Sequence, residues 1–250
     1  MVKMFKKVNV TRVGNETFDF EDKIVLDGEI ELIINNTSFG RFSVSPNNLE
    51  EFAVGYALGE GLVDSVDNIE QLKLNDNEIE LKIDLTDFDI RRELVMSSDC
   101  FGGFRSKLEL LNKVESYFAI SRDDIFKAFK KLIEHSITWK ETGGTHIASL
   151  VSKDHFIATE DVSRHVAIDK VMGAGALKGF DFSKSFIACS GRMPSDMVMK
   201  VARVGIPILT SKAAPTVSGY AAGEKSGITL VGFVRGKRFN IYTNPQRIRI

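Results

Sequence analysis

The fold follows most directly from residues 145–170, which read THIASLVSKDHFIATEDVSRHVAIDK. Two short apolar stretches are separated by Lys153 and Asp154, a pattern that predicts two strands joined by a turn. A segment with helical periodicity follows, and we expect a helix over about residues 164–178. Because strands and helices then keep alternating, this part of the chain is predicted to form an α/β unit of three layers, with helices on both faces of a sheet.

The C-terminal part continues this alternation. We predict helices over residues 195–204 and 215–224, and strands at KSFIACS, IPILT, GITLVGFV and RFNIYT. The last strands could join this sheet or return to an N-terminal one. Before residue 145, helices are predicted over 106–118 and 121–135, because each begins with a serine placed three residues before an acidic residue, the spacing of a capping box.

The N-terminal part has a different pattern. Between residues 6 and 85, polar and apolar residues mostly alternate, which predicts half-buried antiparallel strands. One helix, expected over residues 48–62, interrupts them. We therefore predict a strand-rich domain over residues 1–120 and an α/β domain over residues 121–250, so the fold class is α+β in the first part and α/β in the second.

Composition narrows the classes of function. The chain has 33 basic and 34 acidic residues, so net charge does not favour nucleic acid as a partner. Two cysteines are too few for a disulfide framework, and the N-terminus does not have the pattern of a secretory signal. No apolar run of about 18 residues is present, so no membrane association is expected. A cytoplasmic protein is predicted.

Cys100 lies in the stretch MSSDCFGGF, residues 96–104, between polar residues and a glycine pair. A structural cysteine usually has apolar neighbours, so this setting favours an accessible thiol on a loop. Arg105 and the predicted helix start after it would favour the reactive thiolate. The alternative is a loop cysteine with no role. Cys189, by contrast, ends an apolar strand and is expected to be buried.

Polar junctions adjoin several predicted strands, where α/β folds commonly bind ligands. Helical spacing would place Asp161, His165 and Asp169 on one face. His146 is expected to form hydrogen bonds, since no matching His/Cys spacing indicates a metal site. For the junction at residues 142–146 the alternative is a tight turn, and for the junction at residues 159–170 it is a solvated helix face. The junctions are TGGTH (142–146), TEDVSRHVAIDK (159–170), CSGRMPSD (189–196) and SKAAPT (211–216).

Together these motifs resemble the formate dehydrogenase accessory sulfurtransferases of the FdhD type. The resemblance implies a cytoplasmic homodimer that takes persulfide sulfur from a cysteine desulfurase. It would pass this sulfur to the molybdenum bis-guanine-dinucleotide cofactor before that cofactor enters formate dehydrogenase. A C-terminal domain similar in fold to cytidine deaminases is also implied. The matching stretches are NLEEFAVGYALGEGLV, TGGTH, EDVSRHVAIDK, SGRMPSDMVMK, SKAAPT and GFVRGKRFNIYTNPQRI.

The resemblance also assigns site residues. Cys100 would carry the persulfide, and the cofactor would be a bound substrate, with no structural metal in the protein. Charge for the pyrophosphates would come from the basic turn at residues 233–238. His146 and His165 are candidates for moving protons. The predicted cofactor-binding residues are Gly143, Gly144, His146, Asp161, Arg164, His165, Ser190, Gly191, Arg192, Phe233, Val234, Arg235, Gly236, Lys237 and Arg238.

This sequence departs from the family pattern at two positions. Gly103 stands where many members have the second cysteine of a C-x-x-C loop, and Ser163 stands where glycine is common. One sulfur suffices for a persulfide carrier, because the inner sulfur stays on the protein while the outer one is transferred. The departure at Gly103 nevertheless favours a second hypothesis, a chaperone that shelters the cofactor without sulfur chemistry.

The sequence bears on two other functions. Zinc-dependent deamination needs H-x-E and P-C-x-x-C motifs, and this sequence has neither. A nucleotide-binding enzyme of unknown reaction stays open, although GAGALKG at residues 173–179 has the wrong spacing for a dinucleotide fingerprint and would end a helix.

Overall fold

The computed structural model describes residues 2–84, 93–96, 102–105 and 113–250, and its helices and strands are arranged around two main sheets. The chain begins with an antiparallel hairpin of β1 (Phe5–Val13) and β2 (Thr17–Val25), of which only β1 was predicted. Among the described residues, no helix has the length and apolar character needed to span a membrane.

A four-stranded sheet forms the N-terminal body. Its strands are β3 (Gly28–Ile34), β4 (Thr37–Val44), β5 (Ile69–Leu74) and β6 (Glu78–Ile83), in the spatial order β4, β3, β6, β5. Helix α1 (Leu49–Gly59) connects β4 to β5 and buries Phe52 and Tyr56 edge-on against Phe42. The predicted alternation of strands and the single helix are therefore confirmed.

A second hairpin, of β7 (Glu93–Met96) and β8 (Gly102–Arg105), lies beside β4. Cys100 falls between these strands in the sequence and lies outside the described residues, as does the start of the helix predicted at 106–118.

The described part of that predicted helix is not helical. Residues 113–119 have no regular structure. The Arg247 guanidinium donates to the carbonyls of Val114 and Ser116, and the Val114 N–H donates to the Ser226 carbonyl at 2.8 Å. The backbone groups of this segment are thus satisfied by distant parts of the fold instead of by a helical ladder, and the prediction from the capping-box spacing is wrong here.

The rest of the chain builds a six-stranded sheet in the order β11, β10, β12, β13, β14, β15. Pairing is parallel from β12 through β14 and antiparallel at both ends. The strands are β9 (Ile120–Ser121), β10 (His146–Val151), β11 (Phe156–Asp161), β12 (Phe186–Cys189), β13 (Ile208–Ser211), β14 (Thr229–Arg235), β15 (Arg238–Ile241) and β16 (Ile248–Arg249), of which β9 and β16 pair separately. The helices are α2 (Arg122–His135), α3 (Ile137–Thr142), α4 (Arg164–Leu177), α5 (Ser195–Arg203) and α6 (Val217–Ser226).

Helices cover both faces of this sheet. One core contains Ile168 of α4, Val198 of α5 and Ala222 of α6, and the other contains Phe129 of α2. The predicted mixed fold and the α/β alternation are confirmed, and β14 and β15 join the six-stranded sheet. The similarity to cytidine deaminases and the domain boundary at residue 120 stay predictions.

The two sheets are joined through a close crossing of α1 and α4. A Cβ atom on Gly55 would lie 1.7 Å from the Asp169 carbonyl oxygen, and one on Gly173 would lie 1.9 Å from the Glu51 carbonyl oxygen. Only glycine allows the two backbones to approach this closely. The crossing fixes α4, whose N-terminus carries several of the predicted site residues.

Candidate functional site

The polar junctions meet at one edge of the six-stranded sheet. His146, which begins β10, lies opposite Asp161, which ends β11. In the parallel pair β12 and β13, Cys189 lies opposite Ser211, so the junctions that follow these strands leave the sheet side by side. The polar junctions of these four strands therefore line one edge of the sheet.

A cavity of about 360 Å³ opens at this edge, a volume typical of sites for small ligands. Four of the predicted site residues line it, and they are Gly143, Gly144, His146 and Ser190. The remaining lining residues are Leu132, Ile133, Ser136, Trp139, Thr145, Ile147, Val162 and Lys212. The cavity is therefore lined by both apolar and polar residues.

His146 is held in the cavity wall by Ser190. Its Nδ1 lies 3.2 Å from the Ser190 hydroxyl, which also accepts a hydrogen bond from the Ile147 N–H. Burial lowers the pKa of His146, and the nearby charges of His165 and Arg192 lower it further. The imidazole is therefore neutral at neutral pH, with one ring nitrogen able to accept a proton. The predicted role of His146 as a hydrogen-bonding residue is confirmed.

Arg192 lies near His146, and Arg164 lies near Arg192. Arg164 begins α4 and packs against the backbone of Gly191, where a Cβ atom would lie 2.8 Å from the Arg164 Cβ. Burial lowers the pKa of Arg164, as does the charge of Arg192, while Asp196 acts in the opposite direction. Guanidinium groups stay protonated in proteins, so two positive charges lie close together here, with the Asp196 carboxylate nearby.

His165 is buried beneath the arginines. Its Nε2 lies 2.9 Å from an oxygen of Asp196, in the first turn of α5. Asp196 was part of the quoted motif SGRMPSD, but it was not predicted as a site residue. The signal that could have identified it is an acidic residue at the second position of a helix directly after Ser-Gly-Arg.

Asp161 is a buried carboxylate that bonds to several parts of the chain around the candidate site. Its carboxylate accepts hydrogen bonds from the N–H groups of Ser45 and Ser163, at 2.9 and 2.7 Å, and lies 2.7 Å from Lys170 Nζ. Neither Asp161 nor Lys170 exposes its side chain to solvent. Burial raises the pKa of Asp161 and lowers that of Lys170, and the attraction between them opposes both shifts. A contact between Asp161 and a ligand stays a prediction, and it would require one of these bonds to open.

We expected Asp161, His165 and Asp169 to lie on one face of a helix, and this prediction is wrong for Asp161. Asp161 ends strand β11, whereas the helix begins at Arg164. His165 and Asp169 do share α4, but both are buried, so this is not a solvated face. The reason is that α1 packs against α4, while α5 supplies Asp196 and Lys200 as partners of His165 and Asp169.

Lys200, Asp169 and Glu60 form a second buried network of charged side chains. Lys200 Nζ lies 2.8 Å from Asp169 and 3.3 Å from Glu60, and it also lies 4.9 Å from the centre of the Tyr56 ring. Burial raises the pKa of Asp169 to about 6, an effect that Lys200 opposes. For Lys200, burial lowers the pKa, but Asp169 and Glu60 outweigh it and the net pKa is raised.

The basic turn predicted at residues 233–238 connects β14 to β15 and lies at the same sheet edge. The Phe233 N–H donates to the Ala213 carbonyl at 2.9 Å, so the turn is tied to the SKAAPT junction. Phe233 has a positive φ of 54° and an exposed ring, with the Arg235 guanidinium 5.8 Å from its centre. Gly236, Lys237 and Arg238 are exposed as well. Val234 is buried in the core, so its side chain does not face this surface.

Cys189 is buried as expected. Its thiol lies 3.8 Å from the Gly191 carbonyl, and burial raises its pKa to about 11. A thiol in this environment is unreactive. Among the described residues, no group of three or more His, Cys, Asp or Glu side chains is arranged to hold a metal ion.

This chain is similar to known proteins over nearly its full length. The model of the FdhD/NarQ family matches residues 25–249. A sulfur carrier protein FdhD from Methanothermobacter thermautotrophicus is 53% identical over 245 residues, which is 98% of this chain and 99% of the relative. A protein of the same name from Sulfurisphaera tokodaii is 34% identical over 251 residues, covering 97% and 98%. The crystal structure of a candidate formate dehydrogenase accessory protein from Desulfotalea psychrophila superposes with a TM-score of 0.84 at 25% identity, over 99% of this chain and 100% of that one.

Proposed function

The chain belongs to the FdhD/NarQ family, and from this we propose that it is a sulfur carrier in the maturation of formate dehydrogenase. Cys100 takes sulfur from a cysteine desulfurase and delivers it to the molybdenum bis-guanine-dinucleotide cofactor, the bound substrate. The observation that carries the proposal is the full-length likeness to proteins named as sulfur carriers.

Chemically, the first step is a thiol–persulfide exchange. The Cys100 thiolate attacks the outer sulfur of a persulfide on the desulfurase. The sulfur–sulfur bond of that persulfide breaks, a new one forms on Cys100, and the desulfurase cysteine leaves as a thiolate. Because one cysteine suffices for this exchange, Gly103 in place of a second cysteine is compatible with a carrier.

The described site supports the receiving half of the proposal. Arg164 and Arg192 bring two guanidinium groups to this edge, and guanidinium groups suit the pyrophosphates of a guanine dinucleotide. Strand β8, which follows Cys100 in the chain, lies beside β4, and Ser45, directly after β4, bonds to Asp161 at this edge. The sulfur donor and the acceptor site are thus attached to neighbouring elements.

Other features implied by the family stay proposals. They are a homodimer, a cytoplasmic location and a cytidine-deaminase-like arrangement of residues 121–250.

A persulfide-loading experiment tests the function. The protein is incubated with a cysteine desulfurase and cysteine, and the added mass of one sulfur atom is mapped by mass spectrometry. We expect it on Cys100, and we expect Cys100→Ser to abolish both loading and the activation of formate dehydrogenase in cells that lack the native protein. Cys189→Ala is the matched control, because its buried thiol has a pKa of about 11 and should not take up sulfur.

The same experiment separates the carrier from the chaperone. If Cys100→Ser activated formate dehydrogenase as well as the natural protein does, the sulfur-carrier role would be wrong and a cofactor chaperone would be favoured. Turnover of a free nucleotide to a new product would instead indicate an enzyme.

A further inference from the structure

We propose that a second cavity, at the opposite edge of the six-stranded sheet, binds an acidic peptide segment of a partner protein that also carries an aromatic or aliphatic side chain. Val151, which ends β10, lies opposite Phe156, which begins β11, and opposite Phe186, which begins β12. These three residues line a cavity of about 600 Å³, called the distal cavity below. The candidate site lies at the other ends of the same strands, so the inference goes beyond the carrier role.

The inner wall of the distal cavity is apolar. Ala128 of α2, Ile120 of β9 and Phe186 of β12 belong to one core cluster, and all three line the cavity. Phe118 and Val151 pack against this cluster and line the cavity as well. An apolar side chain that enters the cavity would therefore leave water and contact a packed core, which is favourable.

The rim of the distal cavity carries an excess of positive charge. Five lysine or arginine side chains line it, against three carboxylates, which are Asp124, Glu134 and Asp154. The basic residues are Lys127, Lys130 and Lys131 of α2, Lys153 of the turn between β10 and β11, and Arg249 of β16. Among the described residues, none of the four lysines forms an ion pair with a carboxylate, and all four are exposed.

One of the three carboxylates already has partners. Asp124 accepts hydrogen bonds from the N–H and the hydroxyl of Ser121, at 2.9 and 2.7 Å. Burial raises the pKa of Asp124, but these bonds and the charges of Lys127 and Arg249 outweigh it, and the net pKa is lowered. The positive charge left on the rim therefore exceeds what its own carboxylates neutralise.

The spacing of the charges suits a peptide. Lys127 and Lys131 are four residues apart on α2, which separates them by about 6 Å along the helix axis. Lys131 Nζ lies 5.5 Å from the centre of the Phe156 ring, on the other side of the cavity. Carboxylates spaced along a chain can reach such separated cations, with an apolar side chain between them against the inner wall. The closely spaced phosphates of a nucleic acid would instead meet Glu134 and Asp154 and leave the apolar wall unused.

Both sides of the distal cavity are held in place. Helix α2 is fixed at its start by the capping box of Ser121 and Asp124. In the turn, the Ser152 N–H donates to the His155 carbonyl at 2.9 Å, and the His155 N–H donates to the Ser152 hydroxyl at 3.2 Å. A preformed cavity binds a peptide with less loss of conformational freedom in the protein.

Selection from a phage-displayed library of random peptides tests the inference. We expect the enriched peptides to combine aspartate or glutamate with an aromatic or aliphatic residue. One enriched peptide is then synthesised with a fluorescent label, and its binding is measured by anisotropy. Its affinity should fall when salt is raised, because salt screens exposed charges. It should also fall when the acidic residues of the peptide become amides, or when its apolar residue becomes alanine.

Charge reversal locates the binding. The double variant Lys127→Glu/Lys131→Glu should bind this peptide at least about 10-fold more weakly, because two attractions become repulsions. The matched control is Lys73→Glu/Lys225→Glu, which makes the same change in net charge at exposed positions of β5 and α6 that do not line the distal cavity. The control should bind like the natural protein. Urea denaturation of both variants shows that they are folded.

Four results would overturn the inference. The first is the enrichment of no acidic peptide, and the second is equal affinity of the two double variants. The third is an RNA oligonucleotide that binds more tightly than the peptide and loses its affinity in Lys127→Glu/Lys131→Glu, which would indicate a nucleic-acid site. The fourth is a change from dimer to monomer in this variant, seen by analytical ultracentrifugation, which would show that a second copy of the chain occupies the distal cavity.

Discussion

Asp169 in helix α4 and Asp161 at the end of strand β11 are carboxylates in the interior, each beside a buried lysine. Lys200 Nζ lies 2.8 Å from Asp169, and Lys170 Nζ lies 2.7 Å from Asp161. Removing two charges from water is costly, and their attraction offsets that cost only when further hydrogen bonds complete the geometry. Both pairs have such partners, which keep the charged groups in fixed positions below the candidate site.

The raised pKa of Asp169 predicts a particular dependence of stability on pH. Its pKa is about 6 in the folded protein against an ordinary value of 3.8, so the folded state binds this proton more tightly than the unfolded state. The contribution of Asp169 to stability is therefore present below about pH 4, falls as the pH rises to about 6, and stays low above it. Urea denaturation of the natural protein and Asp169→Asn should show this, with a difference that changes by at most about 1.4 kcal/mol per pH unit.

Asp181 is the matched control for this experiment. Its carboxylate is at the surface, and hydrogen bonds from Lys184 and Ser183 lower its pKa. The small contribution of Asp181 to stability should depend on pH in the opposite direction. It is present at neutral pH and is lost as the pH falls through the lowered pKa. If the difference in stability between the natural protein and Asp169→Asn stayed constant from pH 4 to pH 7, Asp169 would not be a buried, partly neutralised carboxylate.

At the scale of elements, the crossing of α1 and α4 predicts an unusual effect of alanine. Alanine normally stabilises a helix relative to glycine, by about 0.5–1 kcal/mol. At Gly55 its methyl group would lie 1.7 Å from the Asp169 carbonyl oxygen, which is backbone and cannot move aside. We expect Gly55→Ala to lower the free energy of unfolding by at least about 3 kcal/mol, measured by urea denaturation.

Gly59, in the same helix, is the comparison. A Cβ atom there would first meet the end of the flexible Met172 side chain at 3.1 Å, so Gly59→Ala should change stability by less than about 1 kcal/mol. Equal and small effects of the two substitutions would show that the helices do not cross with their backbones in contact.

The elements that could be predicted are those with local signals. Helix α2 begins at the predicted capping box, where Ser121 and Asp124 bond to each other, and β10 and β11 follow from their apolar stretches. The helix predicted at 106–118 had a similar start signal, but its described end is tied down by Arg247, 133 positions from Val114 in the chain. Local spacing carries no information about such a distant partner.

In the candidate site, too, the residues with a local signal could be predicted and those that depend on a distant partner could not. The TGGTH and SGR junctions were predicted because strand ends in an α/β sheet meet at one edge, and His146 and Ser190 do lie together there. Asp196 was missed, because its place in the site depends on His165, a partner from another element. Asp161 was found, but its burial was not, since the donor Ser45 is 116 positions away.

At the scale of the whole molecule, the burial of Cys189 leads to a further prediction. Cys189 lies in the core between the six-stranded sheet and helices α4 and α5, with 3% of its surface exposed. Cys100, expected on a loop, lies outside the described residues. Since the α1–α4 crossing joins the two sheets, the core around Cys189 should open only when the molecule unfolds as a whole.

Thiol labelling in a Cys100→Ser background tests this expectation. With its pKa of about 11 and its burial, Cys189 should react with a thiol reagent only from the unfolded state, so its labelling rate should rise steeply with urea. The free energy of opening derived from these rates should equal that of global unfolding measured by circular dichroism. Labelling within seconds in buffer, with no dependence on urea, would show instead that the edge of the sheet at β12 and β13 opens locally, and the candidate site above it would then not be preorganised.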